Sequence, residues 1–330
     1  MLNPDLKLNP KIFDNDVEKK ATRDGFGEAL FKLGKSNEKV VVLSADLSES
    51  TKANKFAETF PDRYVECGVA EQNMIAVAAG LAMSGKIPFT TSYAVFSPGK
   101  NWETVRTTVV YNNTNVKIAG HHAGIVTGPD GATHQATEDI AILRALPGIK
   151  IFCPCDALEA EKITLEAAKI NGPVYLRFSR QNSPLITTAE TPFEEGKIYT
   201  YWESDNPKTT IFATGHMLYQ ALLAAMELEE VHINVLVANV STIKPLDEKT
   251  VVELARRTGT IVTCEDHQVA GGMGSAIAES LARSSPTPME FIGLKDTFAE
   301  SGQTDELIEK YGLDKNSIKE AVRKVLKRAR

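Results

Sequence analysis

The stretch "GVAEQNMIAVAAGLAMSG" (68–85) follows a short β-rich run and has the composition of a helix without a polar face. Nearly every side chain from 74 to 83 is apolar or very small, so the pattern predicts a helix that is buried on all sides. Glu71 stands at the start of this helix. A first-turn carboxylate can simply favour the helix dipole. A carboxyl group held against an apolar helix can also keep or share a proton near neutral pH, which suits proton exchange with a ring nitrogen.

Short β-rich runs alternate with helical patterns on both sides of this stretch, which is typical of parallel sheets with helices on both faces. In the first half, strands are predicted at 39–45, 63–69, 87–93, 116–122, 149–155 and 174–179, and helices near 21–35, 51–58, 71–84, 99–112, 135–146 and 156–170. In the second half, strands are predicted at 209–214, 233–239, 259–265 and 289–294, and helices near 217–229, 247–257, 272–284, 303–311 and 316–329.

The composition changes between residues 182 and 205, where prolines and mixed polar residues predict a connector with a hairpin. We therefore predict an α/β protein with two open, mostly parallel sheets and helices on both faces of each. The expected domains are residues 1–190 and a smaller one at residues 191–330.

Composition narrows the class of protein. The chain has 330 residues, of which 42% are hydrophobic and 24% charged, and its formal net charge is −6. Acids and bases are interspersed, which predicts neither a nucleic-acid partner nor a membrane-surface partner. Four scattered cysteines do not suggest a disulfide framework. Without a membrane-length apolar run or a secretion signal, we expect a cytoplasmic protein.

Ligands of open α/β sheets bind beyond the C-terminal ends of the strands. Polar and aromatic residues collect at this edge of the first predicted sheet: Asp46, Ser50, Glu71, Tyr93, His121, His122 and Arg180. We expect the functional site there. Neither histidine has a metal-ligand companion at standard spacing, so we expect no metal to be bound by this chain's own residues.

Two loops add further candidates. "GPDGATHQATED" (128–139) presents Asp130 in a tight turn and places His134 before a predicted helix, although such a loop can also be an ordinary turn. Arg180 follows a strand and Arg23 begins a helix. Either arginine suits bidentate phosphate recognition or a surface ion pair.

The segment "EDHQVAGGMGSAIAES" (265–280) has a glycine-rich turn that enters a helix. Such a turn can bind phosphate at the helix N-terminus. The segment matches neither the P-loop nor the dinucleotide fingerprint, so the pattern favours a structural strand-to-helix turn.

Five motifs together resemble the C-terminal half of transketolase, which comprises its pyrimidine-binding and C-terminal domains. They are "LSADLSES", "ECGVAEQNMIAVAAGLA", "TTSYAVFS", "GPDGATHQATED" and "LRFSRQN", in this order. The resemblance covers essentially the whole chain. "GVAEQ" alone is also similar to deoxyxylulose-phosphate synthase and, more loosely, to β subunits of 2-oxo acid dehydrogenases, whereas "SRQN" with "DGATHQ" favours transketolase.

The resemblance implies that thiamine diphosphate binds across a subunit interface. It implies that Glu71 hydrogen-bonds nitrogen N1′ of the aminopyrimidine and favours the imino tautomer, whose 4′-nitrogen removes the proton from the thiazolium carbon. Tyr93 matches the position that stacks on the pyrimidine, where the family often has phenylalanine, and Phe96 lies next to it. Asp46 matches an aspartate near the same ring.

The resemblance also implies roles in substrate binding. Positions that grip the sugar phosphate are matched by Arg23, Ser50, His122 and Arg180. Asp130 matches a residue that reads the hydroxyl next to the acceptor carbonyl, and His134 matches one that contacts the ketol end near the thiazolium. The catalytic residues implied in this way are Glu71, His122 and His134.

The family holds the diphosphate through a divalent metal bound by a Gly-Asp-Gly motif, and this sequence contains no "GDG". We therefore expect a separate N-terminal transketolase subunit to supply Mg²⁺ or Ca²⁺ and the diphosphate site, in an α2β2 assembly. The expected reaction transfers a two-carbon ketol unit from a ketose phosphate to an aldose phosphate. Two alternatives stay open: a subunit of another thiamine-diphosphate enzyme, and a non-catalytic partner that kept the fold.

Overall fold

The computed structural model describes residues 1–328. Its strands are β1 Lys19–Lys20, β2 Val40–Ser44, β3 Tyr64–Glu66, β4 Ile87–Tyr93, β5 Lys117–His121, β6 Lys150–Phe152, β7 Val174–Arg177, β8 Ser183–Pro184, β9 Tyr199–Glu203, β10 Thr209–Ala213, β11 Val235–Asn239, β12 Thr242–Lys244, β13 Ile261–Gln268 and β14 Met289–Leu294. The α-helices are α1 Thr22–Ser36, α2 Asn54–Thr59, α3 Glu71–Met83, α4 Trp102–Thr104, α5 Asp139–Arg144, α6 Ala157–Ala167, α7 Met217–Glu230, α8 Glu248–Thr258, α9 Met273–Ser284, α10 Thr304–Lys310 and α11 Lys315–Arg328. Short 3₁₀ turns lie at Pro4–Leu6, Pro61–Arg63 and Ile125–Asp130, and wider π-helical turns lie at Val95–Lys100 and Val105–Val110.

Two open sheets dominate the architecture. The first has seven strands in the order β12-β6-β7-β5-β4-β2-β3, and all its neighbours are parallel except the edge strand β12. The second has five strands in the order β14-β13-β10-β11-β9, and only the edge strand β9 is antiparallel. The predicted fold class is confirmed.

Helices cover both faces of the first sheet because its central strands are apolar on both sides. Val41 and Leu43 of β2 pack into a core that includes Met74 of α3. Val40 and Val42 pack on the opposite face, in a core with side chains of α1 and α6. A strand whose side chains alternate between two buried faces must be apolar throughout, as β2 is.

The two sheets share part of their core. Phe212 of β10 and Leu236 of β11 belong to the same buried cluster as Val41 of β2. Strand β12 leaves the second half of the chain and pairs antiparallel with β6 of the first sheet. The division into residues 1–190 and 191–330 stays a proposal. Strand β12 belongs to the second of these ranges but completes the sheet of the first.

Two local predictions are wrong. The connector between the halves forms no hairpin, because β8 pairs with β1 and β9 pairs with β11. The predicted helix at 99–112 is an irregular segment in which the single α-turn α4 lies between the two π-helical turns. Pro98, which has no N–H to donate, lies in the first of these turns.

The predicted C-terminal helix at 316–329 corresponds to α11, and residue 329 lies outside the described residues. Among residues 1–328, no helix combines the length and the apolarity that crossing a bilayer requires.

Candidate functional site

Helix α3 is buried on one side only. Met74, Ile75, Ala78 and Ala79 are buried against the first sheet and its helices. The other side is exposed, and we call it the open face of α3: Val69 just before the helix, and Ala76, Val77, Gly80 and Met83 on it. The prediction of a helix buried on all sides is therefore wrong for the single chain. Exposed apolar residues grouped on one side of a helix are typical of interaction surfaces; here they are accompanied by the exposed Gln72 and Asn73 at the start of α3.

Glu71 lies at the first turn of α3 and is 2% exposed. Its Oε2 accepts a hydrogen bond from Lys100 Nζ at 2.9 Å, and its backbone oxygen accepts one from Asn101 Nδ2 at 3.0 Å. No other group within residues 1–328 donates to this carboxylate, so Oε1 is free to accept a hydrogen bond. Lys100 and Asn101 were not among the predicted site residues. Pro98, just before them, was the signal that the helix is broken there.

Four aromatic rings come together beyond the end of β4. The rings of Tyr93 and His122 are stacked, with centroids 3.8 Å apart and planes at 20°. Phe96 lies 5.9 Å from Tyr93 with nearly parallel planes, and His134 meets the edge of Phe96 at 5.4 Å. The structure thus gathers four predicted site residues into one cluster.

The two neighbouring histidines have different surroundings. His121 is fully buried between Phe26 and Phe178 and is therefore withdrawn from any ligand. His122 turns towards Tyr93, with its backbone in the left-handed region at φ 54°. Burial, followed by the positive charges of Arg23 and Arg180, lowers the pKa of His122 to about 3. His122 is therefore a neutral hydrogen-bonding group near pH 7 and adds no positive charge.

Two guanidinium groups act on His122 from different elements. Arg23 begins α1, and its Nη1 donates to the Ser50 carbonyl oxygen at 2.9 Å. Arg180 Nη1 donates to the Thr127 carbonyl oxygen at 2.8 Å and to Asp130 Oδ1 at 3.3 Å. Arg23 Nε is buried and has no hydrogen-bond partner in the described part of the chain. Arg23 thus contacts Ser50 and Arg180 contacts Asp130, and the charges of both guanidinium groups act on His122.

One predicted residue, Asp46, stands apart from this cluster. Asp46 is exposed at φ 61°, and its backbone N–H donates to Glu66 Oε1 at 2.8 Å. Across residues 1–328, no recorded contact joins the Asp46 side chain to the aromatic cluster. His134 shares a hydrogen bond of 2.9 Å between its Nδ1 and Thr133 Oγ1.

The arrangement suits a flat nitrogen heterocycle. A free carboxylate oxygen of Glu71 can accept an N–H from such a ring, and Tyr93 and Phe96 offer a half-buried aromatic surface at the end of β4, the strand that follows α3 in the chain. Metal ligation has no comparable basis, because no group of three His, Cys, Asp or Glu side chains in residues 1–328 could hold an ion.

The glycine-rich turn of the second half is structural, as predicted. Glu265 of β13 is buried, and its two oxygens accept hydrogen bonds from the backbone N–H groups of Met273 at 2.7 Å and Gly274 at 2.8 Å. The first N–H groups of α9 are thus bound by the protein itself, which leaves no phosphate site there.

Family models match nearly the whole chain. The transketolase pyrimidine-binding domain matches residues 18–185, and the transketolase C-terminal domain matches residues 199–318. A Methanocaldococcus jannaschii protein, provisionally named as a transketolase C-terminal section, is 42% identical over 94% of this chain and 97% of its own length. A 6-deoxy-6-sulfo-D-fructose transketolase subunit from Clostridium sp. is 38% identical over 96% of this chain and 98% of its own. Homo sapiens transketolase is 33% identical over 99% of this chain, which spans 51% of the human protein.

Solved structures agree. A split gene transketolase, described as an inactive β4 tetramer, has a TM-score of 0.86 and 42% identity over 95% of this chain and all of its own. Campylobacter jejuni transketolase shares the fold with a TM-score of 0.78 at 24% identity, covering 94% of this chain and 49% of its own. The chain therefore belongs to the transketolase family and comprises its pyrimidine-binding and C-terminal domains.

Proposed function

We propose that this chain is the C-terminal subunit of a split, thiamine-diphosphate-dependent transketolase that moves a two-carbon ketol unit between sugar phosphates. The observation that carries the proposal is the buried Glu71 carboxylate, which keeps one oxygen free at the start of the helix that leads into β4, the strand that ends at Tyr93. Two relatives named as transketolase subunits are covered over 98% and 95% of their lengths.

Thiamine diphosphate, when bound, supplies the electron sink for breaking and making the carbon–carbon bond next to a ketol carbonyl. In our proposal Glu71 Oε1 accepts a hydrogen bond from a pyrimidine nitrogen, while Lys100 holds the other oxygen at 2.9 Å. By accepting this hydrogen bond, Glu71 would stabilise a proton on the ring nitrogen, which would leave the exocyclic nitrogen of the pyrimidine able to act as a base. Tyr93 and Phe96 would pack on the pyrimidine ring, whereas Asp46 is assigned to the same ring by the family resemblance alone.

The anionic end of the sugar substrate is assigned to the guanidinium groups of Arg23 and Arg180, together with Ser50. The neutral His122 contributes a hydrogen bond there, because its low pKa keeps it uncharged. Asp130 accepts a sugar hydroxyl next to the acceptor carbonyl, and His134 contacts the ketol end.

A partner subunit is needed in this proposal to supply Mg²⁺ or Ca²⁺ and the diphosphate site. The open face of α3, which begins beside Glu71, supports a chain-to-chain contact at this edge. The similar structure described as an inactive β4 tetramer suggests that such chains can associate with one another without activity. We expect an active α2β2 complex and an inactive assembly of this chain alone.

The decisive experiment combines this chain with an N-terminal transketolase subunit, thiamine diphosphate and Mg²⁺, and measures ketol transfer. Cofactor affinity is measured in parallel by calorimetry. We expect turnover and tight cofactor binding by the complex, and neither by the chain alone. A complex that assembles and binds the cofactor but transfers no ketol unit between any sugar pair contradicts the proposal.

Assembly through the open face of α3 can be tested separately. Val77→Asp places a charge on this face, where Val77 is 36% exposed, and should prevent association measured by analytical ultracentrifugation. Val231→Asp is the matched control, because Val231 is an exposed valine (54%) at the end of α7. Equal association of both variants would show that this face is not an interface.

The identity of the anionic group is open to a second candidate. One relative is named for 6-deoxy-6-sulfo-D-fructose and another, from Phocaeicola vulgatus at 36% identity, for apulose 4-phosphate. A sulfonate and a phosphate can both bind two guanidinium groups. Comparing kcat/KM for sugar phosphates and for sulfonated sugars decides between them. If Arg23→Ala and Arg180→Ala leave KM unchanged for both, another thiamine-diphosphate reaction replaces the transketolase assignment.

A further inference from the structure

The turn Ile125–Asp130, which ends at Asp130, rests on the second half of the chain. Asp266 of β13 is 2% exposed, and its Oδ1 accepts a hydrogen bond from the backbone N–H of Ile125 at 3.0 Å. Its Oδ2 accepts a longer one from the N–H of Val126 at 3.5 Å. One carboxylate of the second sheet thus binds the first two amides of the turn.

The chain before the turn is shaped to receive this carboxylate. Gly124 has φ +80°, and a Cβ at this position would lie 1.9 Å from Asp266 Oδ2. Only glycine adopts this backbone conformation at little cost and lets the carboxylate approach so closely. The contact is therefore built into both halves of the chain.

Further contacts hold the rest of the turn on the second half. Gln135 Nε2 donates to the Glu300 carbonyl oxygen at 3.1 Å and to the Ile125 carbonyl oxygen at 3.4 Å. A Cβ on Gly131, which follows the turn, would lie 2.3 Å from Ser301 Oγ. Helix α10 packs against the same turn.

The turn also contacts the proposed substrate-binding residues. Thr127 Oγ1 donates to the His122 carbonyl oxygen at 2.6 Å, and the Thr127 carbonyl oxygen accepts from Arg180 Nη1 at 2.8 Å. Arg180 also reaches Asp130 Oδ1 at 3.3 Å. A displacement of the turn would therefore move the acceptor-binding side chains together.

We propose that Asp266 is a positioning residue for the substrate: by binding the amides of Ile125 and Val126 it fixes the turn that carries Asp130. The C-terminal domain then shapes acceptor recognition without touching the sugar. The inference rests on the proposed function for its kinetic consequence, whereas its structural consequence is independent of any substrate.

Hydrogen exchange on the wild-type chain tests the structural consequence first. The amides of Ile125 and Val126 should exchange as slowly as those of Met273 and Gly274, which the buried carboxylate of Glu265 binds in the same manner. Exchange at Ile125 and Val126 as fast as at exposed loop amides overturns the proposal without any variant.

Asp266→Asn then removes one acceptor while keeping the side-chain shape, and Glu265→Gln is the matched control within the second half. We expect Asp266→Asn to speed exchange at Ile125 and Val126. In the reconstituted complex, it should raise KM for the acceptor sugar about tenfold, as expected for the loss of one hydrogen bond to a charged group, with a smaller change in kcat. Glu265→Gln should speed exchange only at the start of α9 and leave KM unchanged.

The outcomes separate the two proposals. Unchanged exchange at the turn in Asp266→Asn, or an equal KM change in both variants, overturns the positioning role. Absence of ketol transfer in the wild-type complex removes the proposed function, and the exchange data still decide whether Asp266 holds the turn.

Discussion

Glu71 and Glu265 occupy comparable places in the two sheets, and their carboxylates are used differently. Each is buried near the passage from a parallel strand to a helix. Both oxygens of Glu265 accept backbone N–H groups of the helix that follows. Glu71 has a single partner, Lys100, and keeps Oε1 free within the described residues.

In our proposal, this difference separates a structural carboxylate, that of Glu265, from a ligand-binding one, that of Glu71. The two backbone hydrogen bonds of Glu265 are present in the folded chain, and a ligand could bind its oxygens only by breaking them. Glu71 Oε1 accepts no hydrogen bond from the described residues, so a ligand that brings a donor can bind it without breaking a bond of the folded chain. Both glutamates are buried, so burial does not distinguish them. They differ in the number of carboxylate oxygens that accept backbone N–H groups, which is two for Glu265 and none for Glu71 within the described residues.

The largest expected effect comes from Glu71→Gln. Kinetics of the reconstituted complex should show kcat lowered roughly 100- to 10,000-fold, the range for a group that moves protons. The free energy of unfolding should change by about 1 kcal/mol or less, because the Lys100 partner is largely exposed (48%). If Glu71→Gln turns over at the wild-type rate, Glu71 has no catalytic role that sets it apart from Glu265.

Glu265→Gln should show the converse pattern. Its amide nitrogen cannot accept from an N–H, so one buried amide of α9 loses its partner. Urea unfolding should report a loss of about 1–3 kcal/mol, while kcat of the folded complex stays at the wild-type value. A fall in kcat without a loss of stability would contradict the structural role.

His122, at the same edge of the first sheet, should make the free energy of unfolding depend on pH. Its pKa is about 3 in the folded chain against an ordinary 6.5, so the unfolded chain takes up the proton first as the pH falls. The free energy of unfolding is therefore unaffected by His122 above pH 6.5. As the pH falls from 6.5 towards 3, protonation of His122 in the unfolded chain lowers it by at most about 1.4 kcal/mol per pH unit.

His122→Asn should reduce this pH dependence, because asparagine does not titrate and tolerates the positive φ of this position. The remainder belongs to His121 and His216, whose pKa values burial also lowers. Chemical denaturation in neutral and mildly acidic buffer measures the effect. His232→Asn is the control, because His232 also has a positive φ but is exposed. The same acid sensitivity in wild type and His122→Asn would show that His122 is not the responsible group.

Lys100→Gln should have the smallest effect. A partly exposed ion pair contributes about 0–1 kcal/mol, which corresponds to a fall in thiamine-diphosphate affinity of at most about fivefold. Calorimetry on the complex measures it, with Lys32→Gln as a control because Lys32 forms a similarly exposed pair with Glu161 on the other face of the sheet. If Lys100→Gln instead lowers kcat as strongly as Glu71→Gln, Lys100 takes part in the reaction itself.

Local pattern predicted the elements well where a segment is apolar or periodic over its whole length. The predicted strand 87–93 is the observed Ile87–Tyr93, and the predicted helix near 71–84 is Glu71–Met83. The segment 99–112 failed because Pro98 and the close contact of Asn101 with α3 override helical periodicity. Strand β12 was missed because its partner β6 lies far along the chain.

The site was predictable to a similar degree. Polar residues at strand ends predicted that several of these side chains meet at one edge of the sheet, because parallel strands end together there. Lys100 and Asp266 could not be found in this way. Lys100 meets Glu71 across 29 residues of sequence, and Asp266 meets Ile125 across 141. No short-range pattern records such pairings.

The sequence by itself determined the alternation of strands and helices, the glutamate at the start of α3 and the order of motifs that assigns the family. Only the tertiary structure decided which oxygens of Glu71 and Glu265 are bound, which face of α3 stays open, and that the turn before Asp130 rests on the second sheet. The reason is physical: hydrophobic patterning acts over a few neighbouring residues, whereas the partner of a buried polar atom is set by whichever distant group the fold brings within hydrogen-bond distance.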